Sequence, residues 1–152
     1  TRGVITRPRA PCPPMAQQPR MVRLQKTKDY VDALAACMGL KDWTFSVHEG
    51  VDDPDALADC LVTKGMRHAS IGFSHEFWDK APDVQRLYVT HELVHCHVAW
   101  MEHVVEDACK PHLPPAALVA LLDLHTTQNE LATDAISSAW SKTLPLPPKG
   151  MR

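Results

Sequence analysis

Two long stretches without Gly or Pro, Asp83 to Lys110 and Ala116 to about Lys142, are separated by Lys110-Pro111-His112-Leu113-Pro114-Pro115. This arrangement restricts the fold more than any other feature of the chain. Pro lacks the backbone donor a helix interior needs, so the Pro-rich segment reads as a turn. The second stretch is rich in Ala and Leu, which favour helix. In the first, Pro82 and Asp83 suit an opening turn, and Leu87, Val94, Val98, Met101 and Val105 recur at helical spacing. Two helices joined by a short turn pack antiparallel.

The first helix carries His91-Glu92-Leu93-Val94-His95, an H-E-x-x-H sequence. Residues four apart lie one above the other on a helix, so both imidazoles can reach one metal ion, with Glu92 beside them. That spacing suits two histidine ligands of Zn²⁺ and a carboxylate placed to take a proton from water. The stretch His75-Glu76-Phe77-Trp78-Asp79 lacks the second histidine and is set aside.

A tetrahedral site needs one more protein ligand and leaves one open position. The metzincin pattern is excluded because Val98 and Met101 occupy its Gly and His positions. An SprT-like pattern would use His112, but no Gly follows it, and the tip of the hairpin lies ~20 Å along the helix from His95. The remaining source is Asn129-Glu130-Leu131-Ala132-Thr133-Asp134. In a hairpin centred near residue 112, Glu130 is level with His95 and Asp134 is level with His91. Glu130 is therefore the expected third ligand. Asp134 is the expected acceptor for the ring N–H of His91.

These residues resemble the gluzincins, the thermolysin-like class of zinc peptidases, which pair H-E-x-x-H with a downstream N-E-x-x-x-D on a second helix. The resemblance covers residues 83 to 140. In size and order the chain is also similar to minimal gluzincins and to small zinc-peptidase-like proteins of phages and actinobacteria. It implies a zincin-like minimal domain with one Zn²⁺ per chain held by His91, His95 and Glu130. Glu92 would be the general base, and Asp134 would orient His91. The implied substrate is a peptide or protein in extended form, paired with the sheet edge beside the active-site helix. Two features depart from the family. The gap from His95 to Glu130 is longer than usual. The stretch after Glu130 is also too short for the domain from which large gluzincins supply a Tyr or His to the transition state. His125, Tyr88 and His97 are the candidates for that role here.

The rest of the chain is expected to supply one α+β core. Thr27 to Met38 reads as a helix with Tyr30, Val31, Leu34 and Met38 on one face and Gly39 as its stop. Trp43 to Val47 alternates as a strand, and Asp59 to Thr63 with His68 to Phe73 reads as a hairpin about Lys64-Gly65. Together these predict a small twisted sheet of about three strands. Residues 23–144 form the expected domain, between a disordered tail at 1–22 and a loose tail at 145–152. Cys96, next to a ligand, is expected to point away from the metal and pack as a small apolar residue.

Net charge is −2 with no basic stripe, which argues against a nucleic-acid partner. Apolar runs are too short to span a bilayer, and the first residues contain no apolar signal core. Five scattered cysteines suit reduced thiols, so the expected location is cytoplasmic. Two rival functions fit the same motif. One is a zinc-binding module without turnover, serving stability or partner binding. The other is an SprT-like protease acting on DNA-bound proteins.

Overall fold

The computed structural model describes residues 18–151. The order of elements is α1 (Gln18–Cys37), β1 (Thr44–Glu49), β2 (Ala58–Val62), β3 (His68–Phe73), α2 (Pro82–Cys109) and α3 (Pro115–Trp140). This is an α+β architecture with three long helices and a three-stranded mixed sheet. Among the described residues, no helix is long and apolar enough to cross a membrane.

α1 begins earlier than its apolar spacing predicts, since Gln18 to Val22 are helical rather than part of a tail. Residues 1–17 of the expected tail lie outside the described region. The face formed by Tyr30, Val31, Leu34 and Met38 is buried as expected. The chain leaves the helix through Gly39, whose φ of 81° is a conformation that costs glycine little.

β2 and β3 form the expected antiparallel hairpin, with Cys60 opposite Ile71. β3 also pairs in parallel with β1, placing Phe45 opposite Ala69 and Val47 opposite Ile71. The strand order is therefore β1-β3-β2, and β2 is an edge strand. The buried face of the sheet carries Phe45, Ala58, Ala69, Ile71 and Phe73. α1 packs against β1 and α2 packs against β2. On the opposite face Gly72 leaves room for its neighbours. A Cβ there would collide with the Asp59 carboxylate and the Gly50 carbonyl. The Asp59 carboxylate instead accepts hydrogen bonds from the Gly72 N–H at 3.1 Å and the Asp52 N–H at 2.7 Å.

The segment between β3 and α2 contains a 3-10 turn, His75–Asp79, that buries Phe77 and Trp78. The buried Gln85 amide donates to the carbonyls of Phe77 and Trp78, at 3.1 and 3.2 Å, and so sets where α2 starts. The Trp78 indole donates to Thr27 Oγ1 at 3.0 Å, and the Arg23 guanidinium lies 4.2 Å from its ring centre.

Two expectations need correction. The stripe of α2 that packs on the core is Val89, Leu93, Val94, Cys96 and Ala99, whereas Met101 is exposed. The C-terminal segment is held rather than loose. Met151 is buried in the core, Pro145 O accepts from Tyr30 Oη at 2.7 Å, and Gly150 O accepts from Lys26 Nζ at 3.1 Å. Leu144 is buried as well, and its carbonyl accepts from Arg86 at 3.0 Å. A Pro-rich segment with no periodicity is anchored here by backbone acceptors and one buried Met.

Candidate metal centre

α2 and α3 run side by side from a turn at residues 110–114. Their register brings His91, His95 and Glu130 together, with one potential ligand atom from each within 4.8 Å of the others. The Nε2 atoms of His91 and His95 are 3.1 Å apart. Glu130 Oε2 is 3.5 Å from His91 Nε2, and Oε1 is 3.5 Å from His95 Nε2. A tetrahedral zinc with ligand bonds of 2.0–2.1 Å separates neighbouring donors by about 3.3 Å. Two imidazole nitrogens and a carboxylate, with one oxygen near each ring, are thus a donor set that fits zinc in type, number and size.

Asp134 lies one helical turn beyond Glu130. Its Oδ1 is 3.2 Å from His91 Nδ1, the ring nitrogen that faces away from the cluster. A carboxylate at that position favours the proton on Nδ1, which would leave Nε2 free to bind a metal. Burial holds the His95 imidazole below its ordinary pKa, against the opposing charge of Glu130. It is therefore neutral near pH 7, the form that binds a cation.

Glu92 sits beside the cluster and is only 3 % exposed. Burial, then the charges of Asp59 and Glu130, push its carboxyl up to about 8. A divalent cation held by the three neighbouring donors would favour the ionised form and bring that value down. The Asp59 charge that acts on Glu92 comes from β2, not from any spacing in the helix.

A groove of about 260 Å³ runs past His95 between α2 and β2, lined by Cys60, Leu61, Val62, Val98, Glu102 and His103. One wall is β2, an edge strand among the described residues. Glu102 and His103 were not expected at the site. The signal was available, because positions seven and eight residues after His95 share its helix face. A second hollow, about 230 Å³, lies on the other side of His91 between Tyr88, Asp134 and Ser137. A hollow of about 480 Å³ between α1 and β1 contains none of the three clustered residues.

The three candidates for transition-state stabilisation separate clearly. Tyr88 is half-buried in the hollow beside His91. His125 is on α3, five residues before Glu130, with its Nδ1 3.3 Å from Asn129 Nδ2. His97 lies on another side of α2, with its ring 5.7 Å from that of Trp140, and it lines a hollow with Gly39, Leu40 and Trp43. His112 sits in the turn at the far end of the hairpin, away from the cluster. His75 faces Glu49, with Nδ1 to Oε1 3.2 Å.

No protein-family model, curated protein or solved structure was found to match the chain.

Proposed function

We propose that this chain is a zinc-dependent metallopeptidase of the gluzincin kind, with a zincin-like fold. The observation that carries the proposal is the cluster of His91, His95 and Glu130 at tetrahedral spacing, with the buried Glu92 next to His91 in the chain. Zinc held there would polarise a peptide carbonyl and make water a nucleophile at neutral pH. Glu92 accepts the proton of the attacking water and later passes it to the leaving amine. Asp134 holds the His91 ring in the orientation and tautomer the cluster needs. The unpaired edge of β2 along the groove suits an extended peptide, whose backbone would add to the sheet while its side chains alternate between groove and solvent.

One observation favours a second reading, a zinc-binding module without turnover. Glu92 is nearly inaccessible and lies near two other carboxylates, Asp59 and Glu130. Digestion of an unfolded protein by the zinc-loaded chain separates the two. The expected result is cleavage by the wild type and none by Glu92→Gln, with zinc content and fold unchanged. An amide of the same size cannot take the proton. Cleavage that survives the substitution rules out Glu92 as the base. A wild type that binds zinc and cleaves no substrate in a broad peptide library favours the module.

A further inference from the structure

The four described cysteines, Cys37, Cys60, Cys96 and Cys109, are free thiols. Two of them meet. Cys60 on β2 and Cys96 on α2 are 36 positions apart in sequence, and their Sγ atoms are 4.0 Å apart. Cys96 is buried and immediately follows His95, and its thiol donates to the Glu92 carbonyl at 3.8 Å. Cys60 is half-buried and lines the groove. Cys60 is therefore the less buried of the pair and borders the groove, and Cys96 is packed against it.

We propose that Cys60 and Cys96 are a redox modification site, in which a hydroperoxide converts the two thiols to a disulfide that ties the edge strand to α2 beside the metal centre. The Cys60 thiolate attacks a peroxide oxygen. The O–O bond breaks, giving Cys60 sulfenic acid and one water. The Cys96 sulfur then attacks the sulfenic sulfur, an S–S bond forms, and a second water leaves with the thiol proton. Two thiols and one hydrogen peroxide become one disulfide and two waters. The sulfurs lose two electrons in total and the peroxide gains two.

Bond formation draws the sulfurs from 4.0 Å to about 2.05 Å. β2 can follow because only one of its sides is held by a neighbouring strand. The hydrogen bond to Cys96, and then burial, hold the Cys60 thiol well above its ordinary range. Thiolate is therefore scarce, and the reaction is slow at neutral pH. The bond would fix the wall of the groove to the helix that carries His91 and His95.

The test treats the full chain with excess hydrogen peroxide, alkylates the remaining thiols and maps the peptides. The expected product loses two of the five alkylatable cysteines. Its mass falls by about 2 Da, it yields a linked peptide containing Cys60 and Cys96, and dithiothreitol restores both thiols. Cys37→Ser with Cys109→Ser should form the same link, and Cys60→Ser should not. The proposal is overturned if Cys60 and Cys96 both stay alkylatable while the other cysteines oxidise. It is also overturned if Cys60 gains about 32 Da as a sulfinic acid without linking to Cys96. Neither readout depends on peptide cleavage or on bound zinc, so failure here is separate from failure of the peptidase reading.

Discussion

The two ends of the α2–α3 hairpin are built differently. At its base, Val89, Leu93, Val94, Cys96 and Ala99 of α2 are buried against the rest of the core. Beyond them, from Trp100 to Ala132, no residue is buried. Met101, Val104, Val119 and Leu124 are each more than half exposed there. α3 is covered even less, since its only buried residues are Thr133 and Ser137, both near the base. Packing on the sheet thus fixes the first half of α2, while the far half depends on helix propensity and on contact between two helices. The candidate metal centre sits on the boundary. His91 and His95 belong to the anchored part, and Glu130 belongs to the last turns of the unburied part. Zinc would therefore join a fixed element to a weakly held one, and binding should order α3 as well as fill the site.

The largest expected effect tests whether the boundary or the tip holds the metal. Glu130→Ala should weaken zinc binding by more than the 10- to 100-fold typical of losing an outer hydrogen-bond partner, because it removes a donor. His112→Ala, at the tip, should leave affinity unchanged. Competition with a chromophoric chelator reads both. Equal retention of zinc by the two variants would remove Glu130 from the site.

The next effect tests the packing contrast itself. Leu93 is fully buried, so Leu93→Ala should cost about 2–5 kcal/mol in chemical denaturation through lost transfer energy and the cavity left behind. Leu124 is 59 % exposed, and Leu124→Ala should stay within about 0.5 kcal/mol. Similar costs at both positions would mean that the far half is covered in solution. Asp134→Ala should come next, lowering zinc affinity about 10- to 100-fold while the fold is kept. Unchanged affinity would reduce the 3.2 Å contact with His91 to a passing one.

Where the chain could be read from sequence follows from how far apart the cooperating residues lie. H-E-x-x-H and the pair Glu130 and Asp134 are periodic within single helices. The Pro-rich turn supplies the one long-range fact needed, the centre of the hairpin. That was enough to set His91 level with Asp134 and His95 level with Glu130. The sheet gave less away. Its three strands are marked by local alternation, but the order β1-β3-β2 depends on pairing between distant segments. The charge of Asp59 acting on Glu92, the edge position of β2 and the Cys60–Cys96 contact all follow from that order. The C-terminal segment misled for a related reason. Its partners, Tyr30 and Lys26, lie on the first helix, and nothing in Pro145 to Met151 announces them.

The smallest effect lies away from the hairpin and sharpens the contrast by acid. Glu49, at the end of β1, meets Arg20 at 2.6 Å and Arg23 at 3.5 Å on α1, and His75 at 3.2 Å. Burial alone would raise its carboxyl, but the hydrogen bond from His75 and the charges of Arg20 and Arg23 outweigh it and hold the carboxyl below its ordinary value of 4.5. The sign follows from linkage. A carboxyl depressed in the folded state adds stability above its unfolded pKa, and that stability is lost as pH falls through the lower folded value. The contribution is small because the Arg20 side chain is 60 % exposed and solvent screens the pair. Lowering the pH below about 4.5 should narrow the Tm gap between wild type and Glu49→Gln. In hydrogen exchange the first turns of α1, which carry Arg20 and Arg23, should lose protection with it. The far half of α2 and α3 has no such tie to Glu49 and should show the same exchange in both proteins. A Tm gap that stays constant from pH 6 to pH 3 would remove the ion cluster as a source of stability. A change in α3 exchange caused by Glu49→Gln would show that the two regions are coupled after all.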